Sequence, residues 1–327
     1  MRLRLVPAET NYDFFKLRYV TMGASVVAMI VSIVLWLTVG LNFGIDFRGG
    51  TTIRSEAVQP VDVAAYRQAV DALQLGDVAI SQVFDPTFAD DQNVSMIRIQ
   101  AQDGQESVTG TVIAEMEAAL KAVDPSLKFT SVESVGPKVS GELIRTAVIA
   151  VAAAMAAILF YIWLRFEWQF SVGAVVALFH DVILTIGIFS LLQIRFDLAT
   201  IAAILTIVGY SINDTVVIFD RLRENLRKFK TTPLQEVMNM SVNETLSRTL
   251  MTSGTTLLAL IALLFLGGDV IRGFVFAITW GVIVGTYSSV YVAKNVVLFL
   301  GVKRDWSKPD GGSGGGGAGT QFANIDA

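Results

Sequence analysis

The sequence predicts an α-helical polytopic membrane protein with six transmembrane helices and one small α+β extracytoplasmic domain between the first two. Three observations carry this. Hydrophobic residues make up 53% of the chain and charged residues 17%, against about a quarter charged in an ordinary soluble domain. Scanning for apolar runs of about 20 residues finds candidates over 19–39, 144–164, 170–192, 196–219, 250–266 and 274–291. The long gap between the first two runs, by contrast, mixes polar and apolar residues as a soluble domain does.

The first run is longer than the apolar core of a cleavable signal and follows Arg2, Arg4, Lys16 and Arg18. It is therefore expected to stay in place, with its cationic flank in the cytosol. Arg221, Arg223, Arg227, Lys228 and Lys230 after the fourth run, and Lys303 and Arg304 after the sixth, give the same orientation. The expected division is a cytosolic N-terminus over 1–18, a first transmembrane helix over 19–40 and a periplasmic domain over 41–141. Helices two to six then form a bundle over 142–302, and a cytosolic tail rich in glycine and serine occupies 303–327.

Composition also excludes several functions. With no cysteine, disulfides and thiolate chemistry are absent. No phosphate-binding loop, dinucleotide fingerprint or metalloprotease helix occurs, and His180 is the single histidine, so no cofactor or metal is expected. A net charge of −4 argues against a nucleic-acid partner, which requires a concentrated basic surface.

Within the gap, alternation and apolar spacing predict strands over 47–58, 77–84, 95–100 and 128–135, with helices over 61–73 and 107–123. Asp62 marks a start for the first helix, and Asp124-Pro125 a stop for the second. The order β-α-β-β-α-β is that of a ferredoxin-like domain. Two helices cover one face of such a sheet, leaving the other as a contact surface or in solvent.

The fourth run carries an anomaly, Asp214, on a helical face with Tyr210, Ser211, Ile218 and Arg221. A charge at bilayer depth costs from about 3 to over 10 kcal/mol, so it marks a proton or ion path, or bonds to a neighbouring helix. His180 and Asp181 stand roughly 15 Å into the third run, where the imidazole is either a proton relay or a buried neutral ring bonded to a carbonyl. Arg248, just before the fifth run, either snorkels outward or turns to Asp214. A cation there favours the ionised carboxylate and desolvation the protonated one, so making and breaking such a pair switches proton affinity. Gly281 and Gly285 form a small-residue ridge suited to helix packing.

The run Asp46-Phe47-Arg48-Gly49-Gly50-Thr51, the stretch 209–225 around Asp214, His180-Asp181 and Ser247-Arg248-Thr249 together resemble motifs of the SecD/SecF protein-export family. With the six spans and the single large loop, the resemblance extends from about Phe14 to Arg304, most closely to the smaller subunit of the pair. It implies an auxiliary subunit of the Sec translocase that uses the proton-motive force to draw preproteins across the inner membrane. Asp214 would carry the proton and Arg248 would tune it. The implied partners are SecD, the SecYEG translocon, YajC and the translocating preprotein. As in the resistance-nodulation-division superfamily, SecD would supply a second six-helix half with its own intramembrane acid. A non-conducting scaffold and half of a small-molecule exporter are the alternatives.

Overall fold

The computed structural model describes residues 10–302 other than 77, 84, 86–87, 90 and 101–107. Arg2, Arg4, Lys303, Arg304, the tail and parts of two expected elements, at 77, 84 and 107, lie outside the described residues. Among those described, six helices are long and apolar enough to cross a membrane. The first is α1 (Arg18–Thr38), followed by β1 (Asn42–Phe43) and the single helical turn α2 (Ile45–Arg48).

A four-stranded unit comes next: β2 (Gly50–Ala57), α3 (Val63–Asp71), β3 (Val78–Val83), β4 (Asn93–Ile99), α4 (Gly110–Val123) and β5 (Lys128–Val135). The strands lie in the order β3-β4-β2-β5, with every neighbour antiparallel. Period-2 alternation puts Ile53, Ile80, Ile97 and Ile99 on one face, where Tyr66 and Val70 of α3 and Met116 and Leu120 of α4 bury them. Asp62 starts α3 by accepting the Ala64 and Ala65 N–H groups, each at 3.0 Å. The expected strand over 47–58 begins three residues late, because Phe47 and Arg48 belong to α2. Gly49 (φ 72°) and Gly50 (φ 119°) make the turn between them in a region that side chains disfavour.

The remaining chain forms α5 (Pro137–Arg165), α6 (Trp168–Leu192), β6 (Arg195–Phe196), α7 (Leu198–Lys228), α8 (Leu234–Leu266) and α9 (Asp269–Ser288). A π-helical turn, Ser289–Ala293, leads from α9 into α10 (Lys294–Leu300). Two expectations are corrected here. Arg248 does not precede the fifth helix but lies inside α8, which starts at Leu234. Apolar scanning misses this end because its polar groups satisfy one another across two helices: Glu244 accepts from Arg221 Nε at 2.6 Å and Asn225 Nδ2 at 2.7 Å. The sixth span also runs past residue 291 to Leu300 and buries Lys294 completely.

Lys294 Nζ sits 4.1 Å from the Phe15 ring centroid, 5.0 Å from Phe14 and 5.4 Å from Tyr291. The two phenylalanines belong to the segment before α1, which is laced to α8. Asn243 Oδ1 accepts the Tyr12 N–H at 2.8 Å, and Asn239 Oδ1 accepts that of Phe14 at 2.9 Å.

The glycine ridge of α9 packs on α7. A Cβ at Gly281 would overlap the Ile207 side chain, and one at Gly285 would stand 3.0 Å from Ser211 Cβ. Gly281→Leu is therefore expected to destabilise the fold by about 1–3 kcal/mol, as overpacking does. Thermal melting in detergent measures this, and adding Ile207→Ala should recover part of the loss; no recovery would place the strain elsewhere.

Candidate functional site

Three helices bring a polar core together inside the bundle. On α6, His180 and Asp181 are both fully buried, with His180 Nδ1 2.9 Å from Asp181 Oδ1. Facing a carboxylate oxygen, that nitrogen carries the proton. Asp181 Oδ2 accepts from Ser211 Oγ of α7 at 2.6 Å and from Ser288 Oγ of α9 at 2.8 Å. Each oxygen thus has a donor, the condition for keeping a carboxylate at this depth. The imidazole stacks on Tyr287 at 6.0 Å, and the Tyr287 hydroxyl donates to the Thr21 carbonyl at 2.9 Å, which adds α1 to the network.

One turn beyond Ser211, Asp214 is 3% exposed and differently placed. Its neighbours on α8 are the Ser253 hydroxyl and the Arg248 charge. Among the described residues its Oδ2 has no hydrogen-bond partner. Ser253 Oγ also meets Thr286 Oγ1 of α9 at 2.7 Å, and Thr286 Oγ1 donates to the Val282 carbonyl at 2.7 Å. A hydroxyl has one proton, so while Thr286 serves Val282, Ser253 must donate to Thr286. Ser253 then offers Asp214 only a lone pair, which a protonated carboxyl satisfies. Turning the Ser253 proton round serves the ionised carboxylate instead.

Arg248 is exposed on the outer surface of α8 with Thr252 and Thr255, beside the exposed Thr206, Gly209 and Asn213 of α7. The relay candidates therefore fall in one region, but as two sets. In the first set Asp181 has a donor on each oxygen while His180 Nε2 is buried without a hydrogen-bond partner among the described residues, in the second Asp214 is left with a free oxygen near Arg248, and α7 joins them through Ser211.

Asp46, Phe47, Arg48, Gly49 and Gly50 lie apart from both sets, where the domain meets the bundle. Asp46 Oδ2 accepts the Leu198 N–H at 3.0 Å, capping the helix that carries Asp214. Phe47 packs on Phe43 at 5.7 Å and Phe196 at 5.9 Å, beside the parallel β1–β6 pair. Arg48 is exposed. Ser253, Thr286 and Ser288 escape sequence reasoning, because a serine or threonine hydroxyl in an apolar helix commonly bonds a carbonyl of its own preceding turn and signals nothing further, and Tyr287 escapes it because its partner lies on α1. Among the described residues, no three metal-ligating side chains come together.

Fold and site together define a polytopic membrane protein organised around buried carboxylates. Residues 115–303 match the family model described as protein export membrane protein SecD/SecF, C-terminal, and residues 34–61 match the SecD/SecF GG motif. The chain is 66% identical over 326 residues to the protein translocase subunit SecF of Cereibacter sphaeroides, covering 100% of this chain and 99% of that one. Against the protein translocase subunit SecDF of Brucella abortus it is 38% identical over 303 residues, covering 92% of this chain and 39% of that one. The crystal structure of SecDF, a translocon-associated membrane protein from Thermus thermophilus, matches with a TM-score of 0.80 and 36% identity. That match covers 92% of this chain and 40% of the crystallised one, so the chain corresponds to well under half of a fused SecDF. The chain belongs to the SecD/SecF family of protein-export membrane proteins and, within it, to the SecF translocase subunits.

Asp181→Asn puts two N–H donors where three donors now converge and leaves buried groups unpaired. It should lower stability by about 1–3 kcal/mol in detergent melts, whereas Asp214→Asn should melt close to the parent chain. Equal melting of Asp181→Asn and the parent would remove Asp181 as the tie between helices.

Proposed function

We propose that this translocase subunit couples the proton-motive force to preprotein translocation and release, with Asp214 as the carboxylate that takes and gives the proton. One observation carries this: Asp214 is buried with an oxygen uncommitted, while Asp181 nearby has a donor on each oxygen. Proton traffic needs a group whose two charge states can both be housed, and the reversible Ser253 hydroxyl provides for both. Arg248 tunes Asp214 from α8. Asp181 and His180 hold the helices in register and polarise the region, a supporting part rather than the carrier's. The energy suffices, since one charge crossing 100 mV yields about 2.3 kcal/mol.

The partner is a SecD half. An arginine, an asparagine and three threonines on the outer faces of α7 and α8 are expensive against lipid, and a second bundle would cover them. In this reading the chain acts at the inner membrane with SecD, SecYEG and YajC on a translocating preprotein. Both termini are cytosolic and 41–141 is periplasmic, in keeping with Arg221, Arg223, Arg227 and Lys228 at the end of α7 away from the sheet domain. The strand order β3-β4-β2-β5 supports a ferredoxin-like assignment for that domain. It would move with α7 through the Asp46 cap.

The test compares the parent chain with Asp214→Asn in vesicles, with SecD present and equal amounts assembled, reading proton flux and preprotein release together. Loss of both with the complex intact is expected. Retention of both would make Asp214 a packing residue and leave the subunit a scaffold.

A further inference from the structure

The second face of the sheet is not simply solvated. It roofs a cavity of about 1070 Å³ whose floor is the domain-side end of the bundle. Arg54 and Arg98 come from the sheet, and Arg195 and Arg272 from the bundle. Of the acids on the wall, two are already engaged. Asp46 Oδ2 accepts the Leu198 N–H, and Asp197 Oδ1 accepts the Thr200 N–H and hydroxyl, each at 3.0 Å. Glu133, the third, is exposed and accepts from Ser131 at 3.4 Å.

Two of the cations, Arg98 and Arg195, are less well served. Arg98 Nε is buried without a hydrogen-bond partner among the described residues. Burial, with Arg195 and Arg48 close by, pushes the Arg98 guanidinium below its ordinary range. Arg195 Nε also lacks a hydrogen bond and reaches Asp197 Oδ2 only at 3.7 Å. Arg98 from the sheet and Arg195 from the bundle, whose Nη1 reaches Met96 Sδ of the sheet at 3.9 Å, line one cavity, and a phosphate accepts paired N–H bonds from arginine.

Beneath this polar roof the floor is apolar: Leu264, Phe265, Phe274 and Phe276 line it. Leu264 and Phe265 are near the last residue of α8, at Leu266, so the floor lies where a spanning helix leaves the bilayer. Phe265 is 68% exposed, which leaves this side open to the surrounding lipid. A free phosphate has no use for such a floor, and an acidic peptide would not need it at that depth. We propose that the cavity binds an anionic phospholipid, its phosphate between Arg98 and Arg195 and its acyl chains along Leu264 and Phe265. The lipid would wedge the sheet domain against the bundle and offset the repulsion that Arg98 feels from Arg195.

The experiment places the full chain with its SecD partner in nanodiscs of phosphatidylcholine with a minority of phosphatidylglycerol and counts retained lipids by native mass spectrometry. Phosphatidylglycerol should be retained over phosphatidylcholine, and Arg98→Gln should cut its retention about tenfold while Arg98→Lys keeps part of it. Phe265→Ala should weaken retention of the lipid while leaving binding of inorganic phosphate unchanged. Retention unaltered in Arg98→Gln would overturn the proposal. So would displacement of the lipid by millimolar inorganic phosphate, which would assign a free-anion site. Displacement by an acidic peptide, with no effect of a neutral one, would assign a peptide site and overturn it equally. If Arg98→Gln fails to assemble, Arg195→Gln supplies the same reading from the opposite wall.

Discussion

A carboxylate sealed from water must be met by donors, and the arrangement of this bundle follows from meeting Asp181. Its three donors come from α6, α7 and α9. Serine hydroxyls are short, so the helices that bring them must approach closely. That is why α9 presents Gly281 and Gly285 to α7: Gly285 lets Ser211 and Ser288 reach the same oxygen. Packing and electrostatics are thus one constraint. A bulkier residue on the ridge would separate the donors from the charge they stabilise.

The same helix ties the membrane part to the sheet domain. α7 is one unbroken rod of 31 residues, with Asp46 and Asp197 capping its start and Asp214 near its middle. A displacement of that rod along its axis is felt at the Asp46 cap without any intervening loop. The glycine turn at Gly49 and Gly50 then hands the chain directly to β2, the central strand that pairs on both sides with β4 and β5.

Much of this was legible in the residues. Runs of apolar residues located the six spans, and strand alternation located the four-stranded unit, because both depend on local periodicity. Asp214, His180 and Asp181 stood out because an ionisable group is rare in such surroundings. What local pattern could not disclose was which of two acids is saturated, since that depends on Ser211, Ser253, Thr286 and Ser288 from three helices. The placement of Arg248 failed for a related reason. Hydropathy sees only the apolar part of α8, while its other end is helical through pairs such as Arg221 with Glu244. Phe47 and Arg48 read as strand because the glycine pair after them permits an extended chain as readily as a turn.

The lysine in its cage of rings sets an order of events during biogenesis. Phe14 and Phe15 are made long before the cation they cover, Lys294, which belongs to the last helix among the described residues. The segment's backbone anchors, Asn239 for Phe14 and Asn243 for Tyr12, also come more than two hundred residues later, with separations of 225 and 231. The leading segment can therefore dock on α8 before α10 is made, but its closure over Lys294 waits for α10. A chain ending before α10 would keep the α8 anchors but leave Phe14 and Phe15 without the cation they cover.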